Sequence, residues 1–280
     1  MYNQFKTVIL LSGLTALIVF FGALFGGEGG MYFAFVLAMI MNFGSYWFSG
    51  KLVLRMYRAQ EIGESDDPEL FSLVRGLATR ANLPMPKLYV IPQETPNAFA
   101  TGRNANHAVI AVTEGLRRMM NRDELTGVLA HEMSHIKNRD ILISTIAATL
   151  AGAIMILASM ARWSAIFGMG GDDDEGGANI VVVLAMAIIA PLAAMIIQMA
   201  ISRSREYMAD SGAARLAGQP EGLARALTRL GQANNRLPMD ANPSTAHMFI
   251  YNPLSGQRMA RLFSTHPPLE ERIARLRAMS

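Results

Sequence analysis

Four long apolar segments limit the folds that this 280-residue chain can adopt. They are residues 8–25, 31–48, 141–161 and 180–201, each close to the length that a helix needs to cross a bilayer. Because lipid offers no hydrogen-bond partners, such segments span membranes as helices. The chain is 51% hydrophobic with a mean hydropathy of +0.25, more apolar than an ordinary soluble domain. The sequence therefore predicts four transmembrane helices in two hairpins.

Alternative interpretations exist for the first segment and for the last two. Lys6 precedes the first segment, as in a signal peptide, but no small-residue cleavage site follows and the second segment comes soon after. An uncleaved hairpin is the better interpretation. The third and fourth segments could instead form a hydrophobic hairpin buried within a protein complex. The fourth carries Pro191, which a membrane helix tolerates when its neighbours satisfy the freed carbonyl.

Charged residues at the segment ends predict how the hairpins are oriented. The turn at 26–30 carries only Glu28, and the loop at 172–175 reads Asp-Asp-Asp-Glu. Because positive residues stay on the cytoplasmic side of a membrane, both termini and the chain between the hairpins should face the cytoplasm. Arg162, at the outer end of the third segment, is one exception. The basic residues at the opposite, cytoplasmic ends are Lys6, Lys51, Arg55, Arg58, Lys137, Arg139, Arg203 and Arg205.

The positive charge of the chain does not indicate a nucleic-acid partner. The net charge is +3 and the isoelectric point is near 9.3. The basic residues cluster beside the apolar segments and form no single stripe with aromatic stacking partners. Anionic lipid headgroups are the partner that this pattern favours.

The chain contains no cysteine, which excludes disulfides and thiol chemistry and fits a cytoplasmic location.

The pentapeptide His131-Glu-Met-Ser-His135 predicts a metal-dependent peptidase. On a helix the two imidazoles project from one face and can bind one metal ion. Glu132, beside the first histidine, can then act as a base toward water. The surrounding sequence favours a helix, since Asn121 and Glu124 match a capping box and apolar residues recur at helical spacing. The alternative is a helix with two incidental histidines.

Two histidines cannot hold a catalytic zinc ion alone, so we expect a third ligand. Glu206 is the candidate, because it follows the fourth apolar segment where the chain returns to the membrane face that holds the first two ligands. Asp210 follows one helical turn later and could accept the remaining N–H of a zinc-bound imidazole. The alternative pairs both carboxylates with Arg203 and Arg205 on a solvated helix face.

Residues 51–140 are expected to form a water-soluble half-domain that contains the zinc helix. Apolar spacing predicts a helix at 68–81. Residues rich in β-branched and aromatic types predict strands at 87–91 and 107–113. His107 adjoins the second of these strands and is expected to be a surface or core histidine without a metal-binding role.

An extended segment between these strands could bind substrate. In it Asn97, Phe99 and Thr101 alternate with small residues. Beside a metal helix, such an edge strand could pair with a substrate backbone by β-augmentation, although an ordinary sheet edge would look the same. Gly127 lies one turn before His131, where a missing side chain would let another backbone or a peptide come close.

The C-terminal part supplies candidates for stabilising the oxyanion of the transition state. We expect His266 to donate to it, with support from Arg272, and His247 is the alternative donor. Amphipathic helices are predicted at 220–232 and 268–279. The segment at 233–264 is rich in Asn, Pro and Gly, so it could act as a lid or be an insertion with only a packing role.

The chain resembles the HtpX family of heat-shock membrane metalloproteases, which are relatives of the CAAX-prenyl endopeptidases. The resemblance extends over essentially the whole chain, including the layout of the hairpins. It rests on residues 96–102 (Pro-Asn-Ala-Phe-Ala-Thr-Gly), 131–135, 202–210 (Ser-Arg-Ser-Arg-Glu-Tyr-Met-Ala-Asp) and 265–268 (Thr-His-Pro-Pro). The resemblance implies that Glu132 is the catalytic base and that one Zn²⁺ per chain is bound by His131, His135 and Glu206.

The resemblance also implies a biological role. It indicates quality control of damaged or misassembled membrane proteins in a bacterial inner membrane, alongside other membrane proteases. A processing peptidase of narrow specificity, such as one that trims prenylated C-termini, is an alternative. A non-catalytic membrane scaffold that holds zinc is another, although structural zinc sites usually have four protein ligands and no use for the base Glu132.

These interpretations combine into one expected architecture. It is mainly α with a small β-sheet, a gluzincin-type zinc peptidase domain combined with four transmembrane helices. Residues 1–50 would form the first hairpin, 51–140 the peptidase half-domain, 141–201 the second hairpin and 202–280 the cytoplasmic part with the third ligand.

Overall fold

The computed structural model describes residues 2–150, 203–234, 241, 245–251 and 267–279. The strands of this part are β1 (Gln60–Ile62), β2 (Lys87–Ile91), β3 (Ala98–Thr101) and β4 (Val109–Thr113). Its α-helices are α1 (Tyr2–Met56), α2 (Pro68–Ala81), α3 (Glu114–Met119), α4 (Arg122–Lys137), α5 (Ile141–Leu150), α6 (Arg203–Ala217), α7 (Glu221–Asn234) and α8 (Leu269–Arg277). The described chain is therefore mainly helical with one small sheet, as the sequence predicts.

The helix α1 consists of two arms that fold back on each other. Gly27 interrupts it with a φ of 57°, a conformation that glycine adopts without steric cost. The Nδ2 of Asn42 on the second arm donates to the Oγ1 of Thr15 on the first at 2.8 Å. A Cβ on Gly22 would lie 2.6 Å from the carbonyl oxygen of Gly30, so the arms meet closely near the turn. Residues 2–56 therefore form a helical hairpin, and its crossing of a membrane stays a prediction.

Within the described residues, two helical stretches are long and apolar enough to cross a membrane, Thr7–Leu24 and Gly26–Met56. Many of their large apolar side chains are exposed, as expected of surfaces that face lipid. The third predicted span begins as α5, with Ile141–Leu150 as its described residues. Residues 151–161 and the whole fourth span at 180–201 lie outside the described chain. The second hairpin therefore stays a prediction.

The sheet has the strand order β1-β2-β4-β3 and mixed pairing. β1 is antiparallel to β2, β2 is parallel to β4, and β3 is antiparallel to β4. The prediction for β2 is confirmed, whereas β4 begins at Val109 and not at residue 107. The reason is a 3₁₀ turn at Ala105–His107, in which the His107 ring lies 2.8 Å from Oδ1 of Asn104. β3 is an edge strand.

The two faces of β4 belong to different apolar clusters, which places the sheet between α1 and the zinc-helix candidate α4. Ile110 and Val112 face the cluster that includes α2, α4 and α7. Val109 and Ala111 face the cluster at the end of α1. The alternation follows from the two-residue period of a strand. The helix predicted at 68–81 is confirmed as α2, and it buries the predicted apolar face, with Leu70, Leu73, Val74 and Leu77 all inside.

The helix α4 packs closely against α7 because Gly127 has no side chain. A Cβ on Gly127 would lie 2.5 Å from the backbone nitrogen of Leu223. The expectation that another backbone approaches at this glycine is confirmed. The helices predicted at 220–232 and 268–279 appear as α7 and α8, each within two residues of the expected bounds.

Candidate active site

The N-terminus of α4 is fixed by the predicted capping box. The Oδ1 of Asn121 accepts from the backbone N–H of Glu124, and the Glu124 carboxylate accepts from the Asn121 N–H, both at 3.0 Å. Arg229 on α7 also donates to Glu124, at 2.7 Å. These contacts hold the helix that carries residues 131–135, and within it His131 and Glu132 are buried.

Three candidate ligand atoms converge beside α4. The Nε2 atoms of His131 and His135 are 3.0 Å apart. Each lies 3.7 Å from a carboxylate oxygen of Glu206, which enters from α6. A tetrahedral zinc ion with bonds of about 2.0–2.2 Å separates its ligand atoms by about 3.3–3.6 Å. Small side-chain adjustments would therefore let the three residues bind one such ion.

The imidazole of His131 is supported by Asp210, one turn after Glu206 on α6. The Nδ1 of His131 lies 3.0 Å from Oδ1 of Asp210. Arg272 on α8 donates to the same carboxylate with Nε at 2.9 Å and Nη2 at 2.8 Å. Burial raises the pKa of Asp210, but the charge and hydrogen bonds of Arg272 outweigh it and hold that pKa at about 2. Arg272 is thus in a position to support α6, the helix that carries both Asp210 and the ligand candidate Glu206.

The imidazole of His135 is supported by Asp140, a residue that the sequence interpretation missed. The Nδ1 of His135 lies 3.1 Å from Oδ2 of Asp140, which is buried. Burial lowers the pKa of His135, but Asp140 outweighs it and raises that pKa to about 10. The signal in the sequence was an acidic residue immediately before an apolar helix, five residues after a ligand candidate.

Glu132 has the properties of a buried base. Burial raises its pKa to about 7, and the nearby backbone N–H of Ala100 opposes this shift. One of its carboxylate oxygens, Oε1, is buried and has no hydrogen-bond partner within the described part of the chain. Glu132 lines a cavity together with the three candidate ligands. The unpartnered oxygen is therefore available to a water molecule or to a substrate at that cavity.

The side chains predicted to bind substrate are buried among residues of the chain itself. Asn97, Phe99 and Thr101 are each 0% exposed. The Nδ2 of Asn97 donates to the carbonyl oxygen of Tyr251 at 2.9 Å. The hydroxyl oxygens of Thr101 and Thr145 are 3.0 Å apart. The part of β3 that faces the candidate site is instead its backbone at Ala98 and Ala100.

Residues 245–251, here called the covering segment, lie across the site. Thr245 shares a hydrogen bond with the hydroxyl of Tyr57 at the end of α1. The ring of Phe249 packs edge-on against the rings of Tyr57 and Phe99, with centroids 5.1 and 5.2 Å away. The cavity that remains beneath the segment is only about 20 Å³, enough for a water molecule but not for a peptide.

The covering segment also occupies the outer edge of β3. The backbone N–H of Ile250 donates to the carbonyl oxygen of Ala98 at 3.0 Å. The carbonyl oxygen of Ile250 accepts from Nη1 of Arg272 at 2.9 Å. The same arginine therefore contacts both the support of a ligand candidate and the segment that covers the site.

The structure describes only one of the two candidate oxyanion donors, His247. His266 lies outside the described residues, so its role stays a prediction. His247 belongs to the covering segment and lines the cavity, with its Nε2 3.0 Å from the carbonyl oxygen of Ser144. His107 is at the surface, where Arg103 contacts its Nε2 at 2.6 Å, and it is not part of the ligand group.

Comparisons with known proteins agree with this geometry. The model of Peptidase family M48 matches residues 64–280. The "Protease HtpX homolog" of Desulfatibacillum aliphaticivorans is 61% identical over 277 residues, 99% of this chain and 89% of that protein. The homologue of the same name from Syntrophobacter fumaroxidans is 60% identical over 283 residues, 100% of both chains. The one from Pyrococcus furiosus is 54% identical and covers 98% of this chain and 95% of that protein.

A solved structure gives a likeness of fold. The crystal structure of S. mikatae Ste24p matches with a TM-score of 0.55 at 22% identity, and the match covers 98% of this chain. This chain spans 65% of the Ste24p chain. The family match, by contrast, extends over well over half of the chain and includes every ligand candidate. The chain belongs to peptidase family M48 and is a membrane metallopeptidase.

Proposed function

We propose that this chain is a zinc-dependent endopeptidase in which His131, His135 and Glu206 bind the metal and Glu132 is the base. Its substrates would be damaged or misassembled membrane proteins, cut at the cytoplasmic face of a bacterial inner membrane. The observation that carries the proposal is the convergence of three ligand atoms beside a carboxylate oxygen of Glu132 that has no hydrogen-bond partner among the described residues. The names of the HtpX relatives support it.

The buried charges around the site favour a divalent cation. Among the described residues, four buried carboxylates and two buried guanidinium groups lie there, which leaves two negative charges when the carboxylates are ionised and the imidazoles neutral. The charged groups are Glu132, Asp140, Glu206, Asp210, Arg205 and Arg272. Two imidazoles and one carboxylate are a ligand set that suits zinc. When bound, Zn²⁺ would supply a Lewis acid that polarises a peptide carbonyl and lowers the pKa of water.

Glu132 would move the proton during hydrolysis. A pKa of about 7 lets its carboxylate accept a proton from the attacking water near neutral pH. The same group can then donate that proton to the amine that leaves. Burial of Glu132 serves this role because it brings the proton affinity of the carboxylate close to the working pH.

The substrate would bind as an extended strand along the outer edge of β3. The carbonyl oxygen of Ala98 is a backbone acceptor on that edge, and the N–H of Ala100 further along the strand contacts the Glu132 carboxylate. Backbone pairing of this kind accepts many sequences, which suits a protease of broad specificity. The covering segment uses the Ala98 carbonyl now, so the substrate must displace it.

The position of the site relative to the membrane favours membrane-protein substrates. The apolar helix α5 begins at Ile141, six residues after His135. A bond cut at this site would therefore lie close to the bilayer surface. Neither a peptidase of narrow specificity nor a zinc-holding scaffold explains the unpartnered Glu132 oxygen better, and the scaffold leaves that oxygen without a role.

The test compares Glu132→Gln with the wild type on a model membrane protein in proteoliposomes, with zinc content measured on the same samples. We expect Glu132→Gln to keep its zinc and to lose about 10²–10⁴-fold in kcat, because the base is removed and the ligands are not. The matched control is Glu114→Gln, an exposed carboxylate on α3. Wild-type cleavage by Glu132→Gln would overturn the assignment of the base. A zinc-loaded wild type without any cleavage would favour the scaffold.

A further inference from the structure

Each of the two candidate histidine ligands has a carboxylate close to its Nδ1, although only one of these carboxylates is expected from the sequence. Asp210 contacts Nδ1 of His131, and Asp140 contacts Nδ1 of His135, at 3.0 and 3.1 Å. A carboxylate at Nδ1 keeps the proton on that nitrogen, which leaves the lone pair of Nε2 for a metal. Both Nε2 atoms do face Glu206.

We propose that Asp140 is the positioning residue of His135, holding its ring in the tautomer and orientation that bind the metal. This inference rests on the ligand set of the proposed function. Asp140 would act through His135 and would not touch the substrate.

The backbone of Asp140 and its side chain make separate interactions. Its N–H donates to the carbonyl oxygen of His135 at 3.3 Å, and its carbonyl oxygen accepts from the N–H of Ser144 at 3.2 Å. These bonds join the end of α4 to the start of α5 and do not need a carboxylate. The side chain faces His135, and its second oxygen, Oδ1, has no hydrogen-bond partner among the described residues. The local fold therefore does not account for an acid at this position.

The turn before Asp140 has a strained backbone. The placement of the Asp140 side chain next to His135 would explain why that strain is kept. Arg139 has a φ of 58°, in the left-handed region that side chains other than glycine rarely adopt. A residue held there is strained and persists only when its surroundings impose the conformation. The turn follows the end of α4 at Lys137 and brings Asp140 back to the His135 ring.

A buried arginine offsets the charge of each supporting carboxylate. Arg205 is 5% exposed, and its positive charge interacts with Asp140 and Glu206. Arg272 plays the corresponding part for Asp210. Since an isolated buried carboxylate is strongly unfavourable, the positive charge of Arg205 near Asp140 compensates part of the cost of burying that side chain. Arg205 was counted as a membrane-flanking basic residue from the sequence, whereas the structure places it inside the site.

The experiment measures zinc affinity and the metal-free stability of the full-length protein in detergent. The zinc dissociation constant is obtained by competition with a chromophoric chelator for the wild type, Asp140→Ala and Asp140→Asn. We expect Asp140→Ala to raise it about 10–100-fold, as is usual when the support of a metal-binding histidine is lost. Asp140→Asn keeps an acceptor oxygen, so its increase should be smaller. Asp66→Asn, an exposed aspartate far along the chain, should leave it unchanged.

A Co²⁺-loaded sample adds a readout that a purely structural role would not change. The visible absorption of Co²⁺ depends on ligand geometry, so it should differ between the wild type and Asp140→Ala even when both are saturated. The proposal fails if either variant, with a wild-type unfolding midpoint without metal, keeps both the zinc affinity and the Co²⁺ spectrum. It fails also if neither variant folds, since Asp140 is then structural.

Variants of the ligands separate this proposal from the proposed function. His135→Ala and Glu206→Ala should lose zinc almost completely. If they keep it, the ligand set is wrong and the function proposed above fails with it. If they lose it while the Asp140 variants keep it, only the positioning role is overturned.

Discussion

At the scale of single residues, the site buries several charged side chains close together, and the burial of any one of them alone would be unfavourable. Arg272 is 1% exposed and donates to both oxygens of Asp210. A bidentate pair of this kind fixes geometry as well as charge. Removing one partner of a buried pair is costly because the other charge stays buried without compensation. Asp210 is therefore expected to matter for stability as well as for the orientation of His131.

Asp210→Asn should destabilise the metal-free protein by about 3–5 kcal/mol at pH 7, because buried Arg272 loses its bidentate partner and keeps only the more distant Glu206, at 3.7 Å, among the described carboxylates. The measurement is the free energy of unfolding in denaturant, with EDTA present. The control is Glu271→Gln, next to Arg272 on α8 but exposed, which should change stability by less than about 0.5 kcal/mol. Equal stability of Asp210→Asn and the wild type would contradict the prediction.

The low pKa of Asp210 gives this prediction a pH dependence of known sign. The folded value of about 2 lies below the ordinary 3.8, so the charged carboxylate stabilises the fold above pH 3.8. That contribution is lost as the pH falls toward 2, and it amounts to about 2 kcal/mol. The difference between the wild type and Asp210→Asn should therefore shrink by this amount between pH 4 and pH 2.

At the scale of secondary-structure elements, the sequence predicts what depends on local signals. The capping box of Asn121, the apolar face of α2 and the bounds of β2 follow from residues close together in the chain. The orientation of Phe99 does not, because its neighbour Phe249 comes 150 residues later. Asp140 was missed for a related reason, since its approach to His135 depends on the left-handed turn at Arg139.

Because the covering segment occupies the outer edge of β3, we predict that it limits the access of substrate to the site. If substrate pairs with β3, it competes with the covering segment for the carbonyl oxygen of Ala98. Tyr57→Phe removes one hydroxyl that holds Thr245, far from the chemistry. A hydrogen bond worth about 1 kcal/mol would then make opening easier, and kcat/KM should rise up to about fivefold. The measurement is cleavage of the same membrane substrate at concentrations below KM.

The matched control is Tyr89→Phe, which removes a hydroxyl whose hydrogen bond to Glu61 is exposed to solvent. It should leave kcat/KM unchanged. An unchanged or lower kcat/KM in Tyr57→Phe, with wild-type stability and zinc content, would mean that the covering segment does not limit entry. The substrate would then have to use a different edge.

At the scale of the whole molecule, the orientation of the N-terminal hairpin in the membrane determines on which side the zinc-ligand candidates lie. The second arm of α1 ends at Met56, and its last residues pack in the same cluster as Phe99 and Phe249. The end of the hairpin is thus packed against the strand and the covering segment beside the candidate site. If its turn at Gly27 faces the outside, the site must lie at the cytoplasmic surface, as the distribution of basic residues predicts.

Single cysteines can test this orientation directly, because the chain contains none of its own. Glu28→Cys marks the turn of the first hairpin, Asp173→Cys the expected outer loop of the second, and Ser65→Cys the peptidase half-domain. A membrane-impermeant maleimide should label the first two in cells with a permeabilised outer membrane, and Ser65→Cys only after lysis. Labelling of position 28 without position 173 would mean that the second hairpin does not cross. The site would then still be cytoplasmic, but α5 would lead into a buried apolar hairpin, and substrates would enter from the bilayer past α1 alone.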